Sequence, residues 1–238
     1  MKSSAQHLIK IPAASECKIL ERLNKFIVKI EIDETEDLAF LQNTGRLQQY
    51  IERGRMGFCI PIKKPKRLRY RLFAVRDNSL CAVLDTLLQA KSFESALKKN
   101  FIPWLIGYQI TKRDVRINHV RADYLVERNS DKCFLELKSA ILRLDGYASY
   151  PDCPSTRAFR QLKAMLKLVK SGATVFLIFV AAVPNVIGFK LNHHADPRLC
   201  SLIKKAAEEG VNIKGISIGY DPDSSSIALL DYDLPIEI

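Results

Sequence analysis

The chain has 238 residues, enough for one large domain or two small ones. Hydrophobic residues make up 47% and charged residues 26%, ordinary globular proportions that exclude disorder, a collagen-like repeat and a disulfide-stapled scaffold. The 37 Lys and Arg against 26 Asp and Glu leave a net charge of +11, which points to a polyanionic partner, either nucleic acid or an anionic membrane surface.

The first third reads as short strands. Residues 26–32 alternate apolar with polar, and 38–41 follow an acidic turn at 33–37. A loop, Asn43-Thr44-Gly45-Arg46, precedes apolar runs at 56–62, 69–75 and 80–84. Short strands separated by turns predict a small barrel or sandwich. Residues 45–54 are the one stretch here that could close a short helix.

Helix and strand alternate in the remainder. Residues 91–100 carry Phe93, Ala96 and Leu97 at helical spacing, and strand-like runs follow at 106–117, 120–127 and 133–137. Residues 156–170 place Phe159, Leu162, Met165, Leu166 and Val169 on one face and basic residues on the other, an amphipathic helix. The apolar run at 173–183 is about half of what a bilayer span requires and reads as a buried central strand. Asp196 precedes Pro197 as an expected N-cap of a helix over 197–209, and 211–218 is a last strand. His193 and His194 are adjacent and diverge on regular backbone, so they read as loop rather than as a metal pair. The predicted fold class is mixed α/β: a small β domain over 1–79 beside an α/β domain over 80–238.

The six cysteines are scattered and form no C-x-x-C pair, which argues against a structural zinc site and for thiols in a reducing cytoplasm. Residues 1–15 show no signal peptide. The expectation is a cytoplasmic protein with no membrane association.

Charge is unevenly divided. Residues 1–79 hold 16 basic and 9 acidic residues, a net +7, against +4 for the longer remainder. Lys63, Lys64, Lys66, Arg67, Arg69 and Arg71 crowd into nine positions. Strand alternation would align Arg67, Arg69 and Arg71 on one face at about 6.5–7 Å spacing, which suits nucleic-acid phosphates. A solvated edge strand kept from aggregating by Lys and Pro has the same composition.

The second constellation is Asp123 followed by Glu136-Leu137-Lys138. On adjacent antiparallel strands Asp123 can sit opposite Glu136, and Glu136 and Lys138 share a face. Their apolar neighbours imply that these groups enter a buried sheet, where charges must be paired or hold a metal. Two carboxylates and a backbone carbonyl are the hard oxygen donors that Mg2+ accepts. A structural salt bridge satisfies the same spacing.

The stretches Arg121-Ala122-Asp123-Tyr124-Leu125-Val126 and Cys133-Phe134-Leu135-Glu136-Leu137-Lys138-Ser139, with Tyr150-Pro151-Asp152-Cys153-Pro154-Ser155-Thr156-Arg157 downstream, resemble the sugar fermentation stimulation protein family, SfsA. Weaker echoes at Asn43-Thr44-Gly45-Arg46-Leu47, Leu105-Ile106-Gly107-Tyr108, Asp196-Pro197 and Glu209-Gly210-Val211-Asn212-Ile213 extend the match over most of the chain. The resemblance implies an N-terminal OB-like β-barrel and a C-terminal restriction-endonuclease-like domain similar to the PD-(D/E)-x-K nucleases.

It further implies that Asp123, Glu136 and the Leu137 carbonyl hold Mg2+ or Mn2+ and that Lys138 is the catalytic lysine. Glu94 falls on the preceding helix, where that fold commonly has a further acid. Arg157 opens the following helix, where backbone N–H groups favour phosphate. Arg160 and Gln161 replace the family's usual Lys-His, and Ala158 its usual Gly. Arg121 lies two residues before Asp123, on its face, and suits phosphate or a carboxylate. OB barrels also present aromatic platforms to bases; Phe58, Tyr70 and Phe73 are the candidates, although aromatics in such positions are more often simply core. The expected function is therefore binding of DNA, single- or double-stranded and without sequence preference, joined to a metal-dependent nuclease site. The alternative is a non-catalytic DNA-binding regulator with a vestigial site. The one assembly expected is a homodimer.

Overall fold

The computed structural model describes residues 6–63, 67–117 and 120–238. Strands β1 (Gln6–Lys10) and β2 (Ser15–Arg22) open the chain, followed by the hairpin of β3 (Ile27–Ile32) and β4 (Thr35–Leu41), then β5 (Met56–Pro61) and β6 (Tyr70–Asp77). Along β3, Val28, Ile30 and Ile32 alternate inward with polar neighbours. Asp33 and Glu34 form its two-residue turn at φ 48° and 61°, left-handed backbone that matches the twist of a tight hairpin. The turn is thus shorter than the acidic composition of 33–37 suggests. Strands run in the order β4-β3-β2-β5-β6, and β4 pairs with β6 to close a five-stranded barrel. Residues 45–54 form turns and no helix, with Leu47 at φ 53°.

Strand β7 (Leu80–Val83) leads into helix α1 (Thr86–Lys98). The helix begins five residues before the sequence expectation because Asp85 caps it, its side chain accepting the Leu88 N–H at 3.0 Å. A short 3-10 turn (Pro103–Leu105) precedes β8 (Gln109–Ile117), β9 (Val120–Arg128) and β10 (Asp131–Ala140). Two short strands follow, β11 (Leu142–Leu144) and β12 (Tyr147–Tyr150), then α2 (Thr156–Lys170), β13 (Thr174–Ala181) and β14 (Phe189–Leu191). Helix α3 (Pro197–Glu208), β15 (Asn212–Asp221), β16 (Ser226–Asp231) and β17 (Ile236–Glu237) complete the chain. Asp196 caps α3 as expected, accepting the Leu199 N–H with Pro197 in the first turn.

One sheet runs through the molecule. From the barrel it continues as β7-β15-β13-β10-β9-β8, with β7 bonded to β6 on one side and β15 on the other. β10, β13 and β15 are mutually parallel, as crossovers through α2 and α3 require. β13 is buried along nearly its whole length, which explains its unbroken apolar run. Helices α2 and α3 cover one face around Leu162, Met165 and Phe179, and α1 packs on the other with Phe93. β11, β12, β14 and β17 form a separate small sheet.

Phe58 and Phe73 are core residues. Both meet Tyr220 of β15 edge-on, at 5.3 and 4.8 Å between centroids, so they join the barrel to the rest of the chain and offer no face to a base. Tyr70 is half-buried, with Arg69 over its ring.

Candidate metal and nucleic-acid site

The β9–β10 ladder is regular from Asp131↔Arg128 to Leu135↔Tyr124 and then stops. Beyond that point the Leu137 N–H donates to the Asp123 carboxylate at 2.7 Å. Asp123 therefore takes the place of a backbone acceptor and is drawn opposite Glu136, as the spacing predicts. Glu136 is 2% exposed. Lys138, two residues on and on the same face, donates to Glu136 Oε1 at 2.6 Å and to Gln161 Oε1 at 2.9 Å. Gln161 is buried on the inner side of α2 and donates in turn to the Arg121 carbonyl at 3.0 Å. Asp123, Glu136, Lys138 and Gln161 thus form one connected group.

The electrostatics of this group are strained. Burial pushes the Glu136 carboxyl up to about 7, with the Asp123 charge adding to the rise and Lys138 opposing it. Asp123 is also raised, again chiefly by burial, against its backbone bond to Leu137 and the charges of Lys138 and Arg157. Glu136 Oε2 is buried and has no hydrogen-bond partner in the protein. A buried, unpartnered carboxylate oxygen beside a second carboxylate is the arrangement a hard cation satisfies. Asp123 and Glu136 are the side chains here that could hold such a cation, with the Leu137 carbonyl the expected third donor. Among the described residues no group of three or more His, Cys, Asp or Glu converges.

These groups line a cleft of about 850 Å3 whose opposite wall belongs to the barrel. That wall includes Phe26, Phe40, Asn43 and Thr44, none of which sequence patterning singles out as site residues. It is firmly held. Arg22 donates to the carbonyls of Asn24, Lys25 and Arg46, bracing the β2–β3 turn against the 43–46 loop. The Arg46 N–H donates to Asp152 at 2.7 Å, and Gly45 lies so close to the Asp152 carboxylate that a Cβ would collide with it. The signal in the sequence was the pair of motifs at 43–46 and 150–157; only the fold shows that they touch.

Other expected residues are placed differently. Glu94 lines the cleft from α1, but Arg113 holds its carboxylate with two bonds of 2.9 and 2.8 Å, and Tyr124 donates a third. These bonds keep it below the usual carboxylate range. Arg121, Arg157 and Arg160 are exposed on β9 and the first turns of α2. Lys63 is exposed after β5, while Lys64 and Lys66 lie outside the described residues.

The expected row of Arg67, Arg69 and Arg71 does not form, because β6 begins only at Tyr70. Arg67 is exposed in a bend, and Arg69 pairs with Asp37 at 2.6 Å. Arg71 turns inward to the fully buried Asp85 at 2.9 Å, an ion pair out of line for a hydrogen bond. A buried carboxylate demands a cation more strongly than solvent does.

The comparisons with known proteins cover almost the whole chain. Residues 20–84 match the family model described as SfsA N-terminal OB domain, and residues 87–224 match the one described as sugar fermentation stimulation protein RE domain. A sugar fermentation stimulation protein homolog of Pyrococcus furiosus is 39% identical over 97% of this chain and 99% of its own. The homolog of Archaeoglobus fulgidus is 37% identical over 90% and 92%. The structure of Pyrococcus furiosus SfsA in complex with Ca2+ superposes with a TM-score of 0.94 at 38% identity, covering 98% of this chain and all of that one. An OB barrel followed by a restriction-endonuclease-like α/β unit, matched end to end by relatives of this similarity, makes the chain a member of the sugar fermentation stimulation protein family.

Proposed function

We propose that this protein binds DNA and cleaves its phosphodiester backbone with the help of Mg2+ or Mn2+. The observation that carries the proposal is the buried, unpartnered Oε2 of Glu136 beside Asp123, in a cleft that opens to solvent. Asp123, Glu136 and the Leu137 carbonyl would hold the cation, which when bound supplies positive charge to a phosphate oxygen and to a water. The relative from Pyrococcus furiosus, solved with Ca2+, supports an oxygen-donor site of this kind.

The protein's own groups do the positioning. Lys138 is fixed between Glu136 and Gln161, so its ammonium sits where it can orient an attacking water and stabilise charge on a phosphate. Arg157, on the first turn of α2, adds positive charge where backbone N–H groups already favour phosphate. The net charge of +11 offsets the repulsion between two carboxylates and a polyanion. The two roles divide near residue 80, with the barrel supplying one wall and the α/β unit the chemistry.

The test incubates single- and double-stranded DNA with Mg2+ or Mn2+ and compares wild type with Glu136→Ala. Cleavage lost in the variant with binding retained supports the nuclease. Binding by both proteins with equal background cleavage leaves a DNA-binding regulator and refutes the enzyme.

A further inference from the structure

The barrel wall of the cleft contains a pair of aromatic rings that the fold does not use. Phe26 is 48% exposed although it adjoins a strand of a closed barrel. It stacks on the half-buried Phe40 at 6.4 Å between centroids, with only 13° between the ring planes. Both rings line the cleft that holds Asp123 and Glu136.

An exposed phenylalanine on a mobile loop would mean little, but this one is pinned. Its carbonyl accepts the Leu41 N–H at 2.8 Å, its own N–H donates to Asn24 Oδ1 at 2.8 Å, and Arg22 holds the two carbonyls before it. A ring kept in water by a rigid backbone, parallel to a second ring and facing a phosphodiester site, is a stacking surface waiting for a planar partner.

We infer that Phe26, backed by Phe40, stacks a nucleobase of single-stranded DNA, so that the preferred substrate is a single strand or an unpaired end whose backbone passes between the barrel and the carboxylates. The inference rests on the phosphodiesterase proposal and narrows its substrate. Bases inside a duplex are stacked on both faces and cannot present one to Phe26 without unpairing, so only the terminal pair of a duplex could reach the ring. A single strand can lay one base on the ring while its phosphate enters the cleft. Because every base has a π-face, such a contact adds affinity without sequence preference.

Fluorescence anisotropy in Ca2+ buffer measures the test, using one labelled oligodeoxynucleotide as a single strand and annealed to its complement. Phe26→Ala should weaken single-strand binding roughly five- to 150-fold, the range for loss of one stacked base. The loss on the duplex should be much smaller, and Phe26→Trp should restore single-strand affinity. An equal loss on both substrates, no loss on the single strand, or failure of Phe26→Trp to restore binding overturns the inference. Cleavage assays on the same oligonucleotides keep the two proposals apart. Glu136-dependent cleavage with no effect of Phe26→Ala on either substrate sinks the stacking site and leaves the nuclease. A selective effect of Phe26→Ala on binding, with no cleavage by wild type, supports the stacking site and sinks the nuclease.

Discussion

Replacing Glu136 with Gln should make the metal-free protein more stable at alkaline pH. Gln has the shape of the protonated acid and can still accept from Lys138. Wild type holds the Glu136 proton up to about pH 7, from an ordinary value of 4.5. Below 4.5 the acid is protonated in both folded and unfolded chains and costs nothing. Between 4.5 and 7 the folded chain keeps a proton that the unfolded chain has lost, so stability falls as pH rises, and above 7 the whole cost is present. A rise of that size corresponds to roughly 3 kcal/mol. Denaturant unfolding with a chelator present should therefore place Glu136→Gln about 1–3 kcal/mol above wild type at pH 8, and level with it near pH 4. With Ca2+ at a hundred times its dissociation constant, wild type should gain roughly 2.7 kcal/mol and the variant far less. A variant less stable than wild type at pH 8 without metal would show that Lys138 already satisfies Glu136, and the argument for a cation would fall.

Asp85→Asn keeps an oxygen to cap α1 but removes the charge opposite Arg71, and should cost about 3–5 kcal/mol in denaturant unfolding; a cost below 1 kcal/mol would mean that Arg71 escapes to solvent. Gly45→Ala drives a Cβ into the Asp152 carboxylate and should cost about 1–3 kcal/mol while also weakening DNA binding, read by thermal unfolding and anisotropy. Replacing the exposed Arg160, Lys163 and Lys167 of α2 together with Gln should leave folding intact and make the dependence of log affinity on log salt shallower by about 1–3; an unchanged slope would put DNA on another surface.

Much of the α/β unit is legible in the sequence because its signals are local. Helix α2 announces itself by periodicity, β13 by an apolar run, and α3 by Asp196 before Pro197. Asp123, Glu136 and Lys138 are legible for the same reason: a two-residue period and one hairpin bring them together. β1 and β2 are not, since each turns only a few apolar side chains inward, Leu8 in the first and Cys17 and Ile19 in the second, and the partner of β1 is the distant β16. Arg71 misleads because a basic run looks alike whether it meets water or a buried acid; Asp85, its partner, lies fourteen residues on and across the barrel edge. Phe26 gives no local signal at all. An aromatic beside a strand is usually core, and only the closed barrel shows that this ring has been left outside.

The strand pairings also say how this protein can be taken apart. β7 belongs to the matched OB segment yet bonds to β15, and β1, which precedes that segment, bonds to β16. A cut between residues 84 and 87 would leave β1 and β7 in one fragment and their partners in the other, each with bare backbone donors and acceptors along a freshly opened edge. Neither fragment would be a finished molecule, and both would be prone to pair with whatever strand came first. Separate expression of residues 1–85 and 86–238 should therefore give fragments that aggregate, where the whole chain does not.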